Sequence, residues 1–520
     1  MSLFRNFVSV GAWTLVSRIA GFARDALMAA VLGTGPAADA FFAAFRFPNL
    51  FRRLFAEGAF NTAFVPMFSG ALEREGAEGA KLLAARIMSW LVAMLVVVTV
   101  LVEMFMPQIM LAFVPGFVDD AEKFGLTVLL TRLMFPYLAC MSLMAAYGAI
   151  LNTLGRFTAA AFAPVLLNIV NIAVMIPLAT FWVQAPAQAT IWVALATMAG
   201  GIAQFWLLWV AIGRAGFRPA FRLPRLDPDV RRFWVLAVPA ILSGGITQIN
   251  IFVGTIIASG ADNAIAVLSY ADRLYQLPLG IIGIAIGTVL LPELSRHLTG
   301  GREAEARASQ DQALFVAMLL AMPAATALIA LAEPIVRVLF ERGAFDALAT
   351  RQTAEALVAF AAGIPAYVLI RVLQPGFFAR EDTLTPTIFA GVSVATNIAL
   401  SLLLFPAYRH VGIAIATASA AWVNVLLLAG MLALRRHFAL TAPQWRAQAA
   451  IVAISLVMGA ALYLLSGAGA GHLASGVPLW RQAGVLFVLI AFGVATYFTL
   501  VHVTGTQRLG QLVRRLRRRG

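Results

Sequence analysis

The sequence predicts an all-α protein that crosses a membrane many times. Of its 520 residues, 61% are hydrophobic and only 12% are charged, whereas soluble domains carry about 25% charged residues. The mean hydropathy of +0.88 agrees. Apolar runs of about 20 residues, the length that a helix needs to span a bilayer, recur along the whole chain.

Fourteen such runs predict fourteen transmembrane helices. The first run has Arg18 in its middle and lacks a small-residue cleavage site, so we interpret it as a retained helix and not as a signal peptide. The predicted spans start near Val8, Ala37, Leu83, Leu126, Phe157, Thr190, Phe233, Ala264, Ala313, Ala354, Thr385, Val411, Ala449 and Ala483.

Basic residues predict that both termini are cytoplasmic. They gather in the loops on one side, as expected from the positive-inside rule, while Asp119, Asp120 and Glu122 fall on the other side. The net charge of +14 therefore reflects topology, and the terminal run "RRLRRR" suits anionic lipid better than nucleic acid. The basic residues on the cytoplasmic side include Arg5, Arg74, Lys81, Arg86, Arg156, Arg214, Arg218, Arg222, Arg225, Arg231, Arg232, Arg296, Arg302, Arg307, Arg380, Arg435, Arg436 and Arg446.

The residue inventory argues against several classes of protein. The single cysteine, Cys140, excludes a disulfide or a multi-thiolate metal site within the chain, and we interpret it as a packing residue. There is no phosphate-binding loop of the G-x-x-x-x-G-K-[ST] type and no H-E-x-x-H motif. We therefore predict a transporter without a bound cofactor or metal.

An internal repeat divides the chain into two related halves. Pro48 matches Pro278 at an offset of 230 residues, and Asn171 in "NIA" matches Asn397 in a second "NIA" at 226. Six helices per repeat give both halves the same orientation, related by a pseudo-two-fold axis along the membrane normal, and suggest a central cavity. The predicted domains are an N-lobe at 1–225, a C-lobe at 226–440, two extra helices at 441–505 and a basic tail at 506–520.

Five arginines within apolar stretches are the candidate functional residues. A charge at bilayer depth costs roughly 2.5–3.5 kcal/mol. None of these arginines has an arginine at the repeat-related position of the other half, which favours a role in ligand binding over a role in the shared fold. Arginine binds phosphate or carboxylate in a bidentate way and stays charged when buried. The five arginines are Arg18, Arg24, Arg52, Arg273 and Arg371.

Polar neighbours accompany these arginines. Asp39 and Asn49 share a face of the second helix and join the predicted substrate site. The alternative interpretation is that the arginines form buried ion pairs and do not bind a ligand. Their possible partners are Asp25, Glu57 and Asp272. From the residues alone the ligand is a diphosphate or a similar anion.

The motifs that carry these residues resemble one family. "SRIAGFARDALMA", "DAFFAAFRFPNLFRRLFAEGAFNTAFVP", "YADRLYQLPLGIIGIAIGTVLLPELS" and "PGFFARED" are similar to the MurJ (MviN) family of lipid II flippases, within the multidrug/oligosaccharidyl-lipid/polysaccharide exporter superfamily. The resemblance implies a cationic cavity that binds the lipid II headgroup, a groove at helices 13 and 14 for the polyprenyl tail, and alternating access in the bacterial inner membrane. It also implies a role in peptidoglycan synthesis. We predict that the protein functions as a monomer.

The resemblance assigns functional positions residue by residue. Arg18, Arg24, Asp39, Arg52 and Arg273 match family positions, while Arg371 matches a position that is lysine in some relatives. Some members have a sodium site among helices 7, 11 and 12, but helix 11 here offers only Asn397 and Ser401, so no sodium site is predicted.

Three other functions compete with this prediction. They are export of another polyprenyl-diphosphate-linked oligosaccharide, drug or cation antiport, and a membrane enzyme acting on polyprenyl phosphates. An antiporter favours cavity carboxylates over arginines. An enzyme needs clustered acids for a metal, for which only Asp119 with Asp120 and Glu381 with Asp382 qualify.

Overall fold

The described part of the chain is helical, with no β-strand. The computed structural model describes residues 3–53, 60–182, 185–220 and 223–505. Within these ranges the chain alternates long helices with short turns. The predicted all-α class is therefore confirmed.

The chain forms two compact units, which we describe separately. Unit 1 comprises residues 1–266 together with 342–345, and unit 2 comprises 267–341 and 346–520. The predicted lobe boundary between residues 225 and 226 stays a prediction.

The helices that lie in unit 1 or begin there are numbered from the first. They are α1 Leu3–Leu32, α2 Pro36–Arg52, α3 Phe60–Met104, α4 Met106–Phe113, α5 Ala121–Met134, α6 Tyr137–Thr153, α7 Thr158–Thr180, α8 Pro186–Arg214, α9 Pro228–Ser259 and α10 Ala264–Thr299, of which only the first turn belongs to unit 1.

The remaining helices belong to unit 2. They are α11 Glu303–Ala330, α12 Ala332–Phe340, α13 Ala347–Ala361, α14 Ile364–Phe378, α15 Leu384–Leu434, α16 Ala442–Ala468 and α17 Leu479–Val503.

The helices confirm the membrane class but leave the number of spans open. In the described ranges, nine helical segments are long and apolar enough to cross a membrane. One predicted span is broken between α5 and α6, where Pro136 cannot donate a backbone hydrogen bond. Thirteen of the fourteen predicted starts fall within a helix, and the other, Phe157, directly precedes α7 as its N-cap. The total of fourteen spans stays a prediction.

The sequence repeat has a counterpart in buried hydrogen bonds. In unit 1 the Thr197 hydroxyl donates to Asn171 Oδ1 at 3.1 Å. In unit 2 the Thr417 hydroxyl donates to the repeat-related Asn397 Oδ1 at 3.3 Å. Both asparagines are buried, so the same polar side-chain bond links neighbouring helical segments within each unit.

Helix α15 provides two predicted spans. As a straight rod its 51 residues would extend about 76 Å, much more than the roughly 30 Å hydrocarbon core. The helix breaks at Arg409, where φ is 46° and ψ is −127°. The two halves form a hairpin, because Arg435 at its end binds Asp382 before its start, with Nη1 2.6 Å from Oδ2.

Asp382 is also the polar cap of α15. Its Oδ1 accepts the Thr385 N–H at 2.9 Å and its Oδ2 accepts the Thr385 hydroxyl at 2.7 Å. These bonds and the Arg435 guanidinium stabilise the ionised carboxylate and lower the pKa of Asp382 from 3.8 to about 2.

We predict a pH dependence at this cap. Because the pKa is lowered in the folded state, the stabilisation is fully present above the ordinary pKa of 3.8 and is lost as the pH falls through about 2. Asp382→Asn should lower the thermal unfolding midpoint at neutral pH and should flatten its fall between about pH 4 and pH 2. Glu381→Gln, an exposed neighbour, is the control. If the unfolding midpoint of Asp382→Asn fell with pH as steeply as that of the unaltered protein, Asp382 would not be the group responsible.

Candidate functional site

Arg24 of α1 is held by the next residue. Its Nε and Nη2 donate to Asp25 Oδ1 at 3.0 and 2.7 Å. The two side chains are only 13% and 12% exposed, so the charge of Arg24 is largely screened from solvent and partly compensated by the carboxylate. Arg24 thus forms the ion pair with Asp25 that the sequence offered as an alternative to ligand binding.

Arg52 ends α2 and is oriented by a neutral group. Its Nε donates to Asn49 Oδ1 at 3.0 Å, and Asn49 Nδ2 donates in turn to the Phe45 carbonyl at 2.8 Å. Pro48, which directly precedes Asn49, has no N–H, so the backbone hydrogen bonds of the helix are interrupted here. Asn49 therefore helps to orient the Arg52 guanidinium through a neutral acceptor.

Tyr137 brings these two groups into one cluster. Tyr137 begins α6 directly after Pro136 and is 3% exposed. Its ring lies 6.3 Å from that of Phe45, one turn before Asn49 on α2, and its hydroxyl lies near enough to Arg52 and Arg24 for their charges to act on it. We call Arg24, Asp25, Asn49, Arg52 and Tyr137 the Tyr137 cluster. Two guanidinium groups and one carboxylate leave it a formal charge of one positive unit, together with amide and hydroxyl donors.

Asp39, predicted to bind substrate, lies in a different environment. It is fully buried, and its Oδ2 is 2.9 Å from the Nζ of Lys123, which is 5% exposed. Its Oδ1 accepts the backbone N–H of Ala266 at 2.8 Å. The Lys123 ammonium also lies 3.9 Å from the centroid of the Phe117 ring. Both carboxylate oxygens are thus bound by protein groups in this structure.

Arg18 is also in α1 but is exposed. Within the described ranges it forms no ion pair, in contrast to Arg24. The turn around it packs against α7, where Asn168 Nδ2 donates to the Ser17 carbonyl at 3.0 Å. Arg18 therefore presents its charge outward from unit 1.

Arg371 of α14, in unit 2, depends on a glycine of α10. A Cβ placed on Gly283 would lie 2.6 Å from Arg371 Cδ and 2.9 Å from its Nε. A real side chain does not tolerate such a distance, so the arginine passes through the space that Gly283 leaves. One turn earlier, the Tyr367 ring packs against Tyr275 of α10, with centroids 5.5 Å apart.

The remaining charged candidates of unit 2 lie on α10. Arg273 is exposed, and the neighbouring Asp272 accepts a hydrogen bond from the Gln276 amide one turn later. Glu57 lies outside the described residues. The structure thus groups Arg24, Asp25, Asn49 and Arg52 in unit 1, and in unit 2 it brings Arg371 to α10, the helix that also carries Arg273 and Asp272.

Three residues of these arrangements escaped the sequence analysis. Lys123 follows the acidic loop residues Asp119, Asp120 and Glu122, and such a sequence predicts a solvent-exposed lysine. Tyr137 could have been noticed from "FPY", where a polar aromatic follows a helix-breaking proline. Gly283 belongs to a glycine series that also suits simple helix packing, so its specific contact with Arg371 left no signal.

The described side chains of the site do not form a metal-binding cluster. Searching only the described residues, we find no group of three or more His, Cys, Asp or Glu side chains placed to bind one. Cys140 is half-buried in α6. The chemistry of the described side chains is that of anion binding by guanidinium, amide and hydroxyl donors.

Comparison with known families and sequences identifies relatives along the whole chain. Residues 28–483 match the model of the family described as lipid II flippase MurJ. The chain is 47% identical over 521 residues to a probable lipid II flippase MurJ of Rhizobium meliloti, covering 100% of this chain and 97% of the relative. It is 35% identical to the lipid II flippase MurJ of Burkholderia cenocepacia, covering 97% and 98% of the two chains.

Solved structures agree with the sequence comparison. A lipid II flippase MurJ in an inward closed conformation is similar at a TM-score of 0.79 and 26% identity, covering 96% of this chain and 98% of that one. An inward-facing multidrug transporter of the MATE family is similar at a TM-score of 0.65 but 15% identity, covering 82% and 98%. The second likeness concerns the fold alone.

We predict that the buried ion pair stabilises unit 1 strongly. Asp39→Asn or Lys123→Met alone would leave one buried group without its partner, which costs roughly 3–5 kcal/mol. The double variant should recover much of this loss because no isolated charge remains. The measurement is the thermal unfolding midpoint of each purified variant. If the double variant were as unstable as the sum of the single variants, the two side chains would not be coupled.

Proposed function

We propose, because this chain belongs to the lipid II flippase MurJ family, that it moves lipid II across the bacterial inner membrane. It is a transporter and not an enzyme. The observation that carries the proposal is the family match over residues 28–483, and the guanidinium groups in apolar helices supply a matching chemistry. Such a transporter serves peptidoglycan synthesis by delivering the precursor from the cytoplasmic to the periplasmic leaflet.

The Tyr137 cluster is the proposed diphosphate site of unit 1. Asn49 orients the Arg52 guanidinium by accepting a hydrogen bond from its Nε, and such preorganisation lowers the cost of binding an anion. Arg24 can exchange one of its hydrogen bonds to Asp25 for one to a phosphate oxygen, because the carboxylate and the phosphate are both anionic acceptors of guanidinium N–H groups. Arg18 is the proposed outer contact, since it is exposed on the same helix as Arg24.

Arg273 and Arg371 are the proposed anion contacts of unit 2. Both are exposed, and Arg371 reaches across α10 at Gly283. We propose a supporting role for Asp39, whose oxygens are bound by Lys123 and Ala266, while Asp25 and Asp272 hold neighbouring side chains. Alternating access, with function as a monomer, completes the proposed mechanism.

Helices α16 and α17 are the proposed contact for the polyprenyl tail. They pack on each other, and apolar side chains such as Tyr463, Leu464 and Phe487 remain about 70% exposed. A long isoprenoid chain can cover such a surface inside the bilayer. We further propose that both termini are cytoplasmic, as the loop arginines predict.

We predict that replacing the arginines of the Tyr137 cluster lowers transport, and that lysine replaces Arg52 only in part. Arg24→Ala and Arg52→Ala should each lower lipid II transport by roughly 10- to 100-fold, because a charge-assisted hydrogen bond contributes about 1.5–3 kcal/mol. Arg52→Lys should retain only part of the activity, since an ammonium group cannot bind a diphosphate bidentately. Transport is measured by growth after depletion of the resident flippase and by flipping in proteoliposomes.

The control is Arg296→Ala, an exposed arginine near the end of α10, expressed at the same level. Full activity of all the Arg24, Arg52, Arg273 and Arg371 alanine variants would refute the anion site. Equal transport of a different polyprenyl-diphosphate-linked oligosaccharide would show that recognition stops at the diphosphate.

We predict that Gly283 determines the position of Arg371. Gly283→Ala should reduce transport because the new methyl group would occupy the path of the arginine side chain. In an Arg371→Ala background the same substitution should have little further effect, since the clash is gone. Gly287→Ala, which would meet no atom within 4 Å, is the matched control. Equal losses with and without Arg371 would mean that Gly283 matters only for packing.

A further inference from the structure

A basic cavity lies at the end of α8, in unit 1 and apart from the Tyr137 cluster. It has a volume of about 470 Å³, within the range of small-ligand pockets. Three of its lining residues are cations and, in the described ranges, none is an acid. The lining residues are Lys81, Val210, Gly213, Arg214, Gly216 and Arg218.

The turn after α8 builds this cavity. Gly216 has a φ of 74°, a left-handed conformation that favours glycine. The Phe217 N–H then donates to the Ile212 carbonyl at 3.1 Å, which reverses the chain against the helix end. Phe217 contacts Phe68 of α3, with ring centroids 6.2 Å apart. The turn thus places Arg218 beside the helix it has just left.

Aromatic rings hold two of the cations in place. Arg218 lies 5.2 Å from the centroid of the Trp209 ring and crosses Gly213, where a Cβ would be 2.4 Å from its Nε. Lys81 lies 5.5 Å from the centroid of the Phe217 ring. Such contacts preorganise a cation and leave its charge available to an anion.

Acids balance the local positive charge only in part. Lys81 pairs with Glu78 at 2.7 Å, and that carboxylate is 86% exposed. Arg156 adds a further cation by donating from Nη1 to the Arg214 carbonyl at 3.2 Å. Cations do favour the carbonyl end of a helix, which explains Arg156 and Arg214. It does not explain Arg218, stacked on Trp209, or Lys81, supplied by α3.

An apolar stripe leads along α8 to this cavity. Trp192, Leu195, Ile202 and Trp206 are 40%, 41%, 51% and 63% exposed. Their spacing of three, seven and four residues keeps them on one face of the helix. Exposed tryptophan beside arginine is typical of the interface between hydrocarbon and headgroups. A ligand that covers both features has acyl chains and an anionic head.

We propose that this cavity binds the phosphate of an anionic membrane phospholipid. Lys81, Arg214 and Arg218 bind the phosphodiester oxygens, and the acyl chains follow the α8 stripe. Basic pockets between transmembrane helices bind such headgroups. The inference is independent of the transported substrate, because none of these residues belongs to the proposed lipid II site.

The experiment measures lipid binding to the delipidated full chain by native mass spectrometry in detergent. The probes are phosphatidylglycerol, phosphatidylcholine, undecaprenyl phosphate and inorganic phosphate. Lys81→Gln/Arg214→Gln/Arg218→Gln should weaken phosphatidylglycerol binding by roughly 10- to 100-fold. The control Arg231→Gln/Arg296→Gln/Arg446→Gln removes the same charge from exposed positions and should retain the binding. Added salt should weaken binding to the unaltered protein.

A second variant tests the source of the phosphate. Ile202→Ser/Trp206→Ser should weaken phosphatidylglycerol binding and leave inorganic phosphate unaffected, since it removes only apolar contacts. Equal loss in the two charge-removal variants, or equal binding of phosphatidylcholine, would overturn the site. Tighter binding of inorganic phosphate or of undecaprenyl phosphate than of phosphatidylglycerol would overturn the phospholipid as its occupant.

Discussion

The ion pair between Asp39 and Lys123 ties together the parts of unit 1 that carry its cationic cluster. Ions removed from water persist only where geometry and further hydrogen bonds compensate their lost hydration, so this pair fixes α2 against α5. Arg52 and Asn49 lie further along α2, and Tyr137 begins the helix that follows α5. The relative position of these side chains therefore depends on a contact that involves none of them.

The repeated scaffold and the charges added to it follow different rules. The bonds Thr197 to Asn171 and Thr417 to Asn397 recur because each half must satisfy the same polar groups within apolar helices. Each of the five arginines lacks a counterpart at the repeat-related position of the other half, and three of them are held by different local contacts. Arg24 uses a carboxylate, Arg52 a neutral amide, and Arg371 the space beside a glycine.

Hydropathy and the repeat were sufficient to predict the fold class and to place all but one of the predicted span starts within a helix, the exception being Phe157 at the N-cap of α7. Motif resemblance pointed to Arg24 and Arg52, and the helix face shared with Asp39 pointed to Asn49; that these residues bind substrate stays a prediction. The sequence could not show that Asp39 is enclosed by Lys123, because a lysine among loop acids has no periodicity that indicates burial. The role of Gly283 could not be predicted either. It matters because it has no side chain in the space that Arg371 fills, and only the folded structure shows that Arg371 lies there.

The closure of α15 between Asp382 and Arg435 has a mechanical consequence. Two membrane spans that are joined at Arg409 and tied again at their far ends have little freedom to slide past each other. In a transporter that changes conformation, we expect such a hairpin to move as one body. The bending that accompanies motion must then be absorbed elsewhere, and proline-containing helices such as α14, with Pro375, lack the complete ladder that resists it.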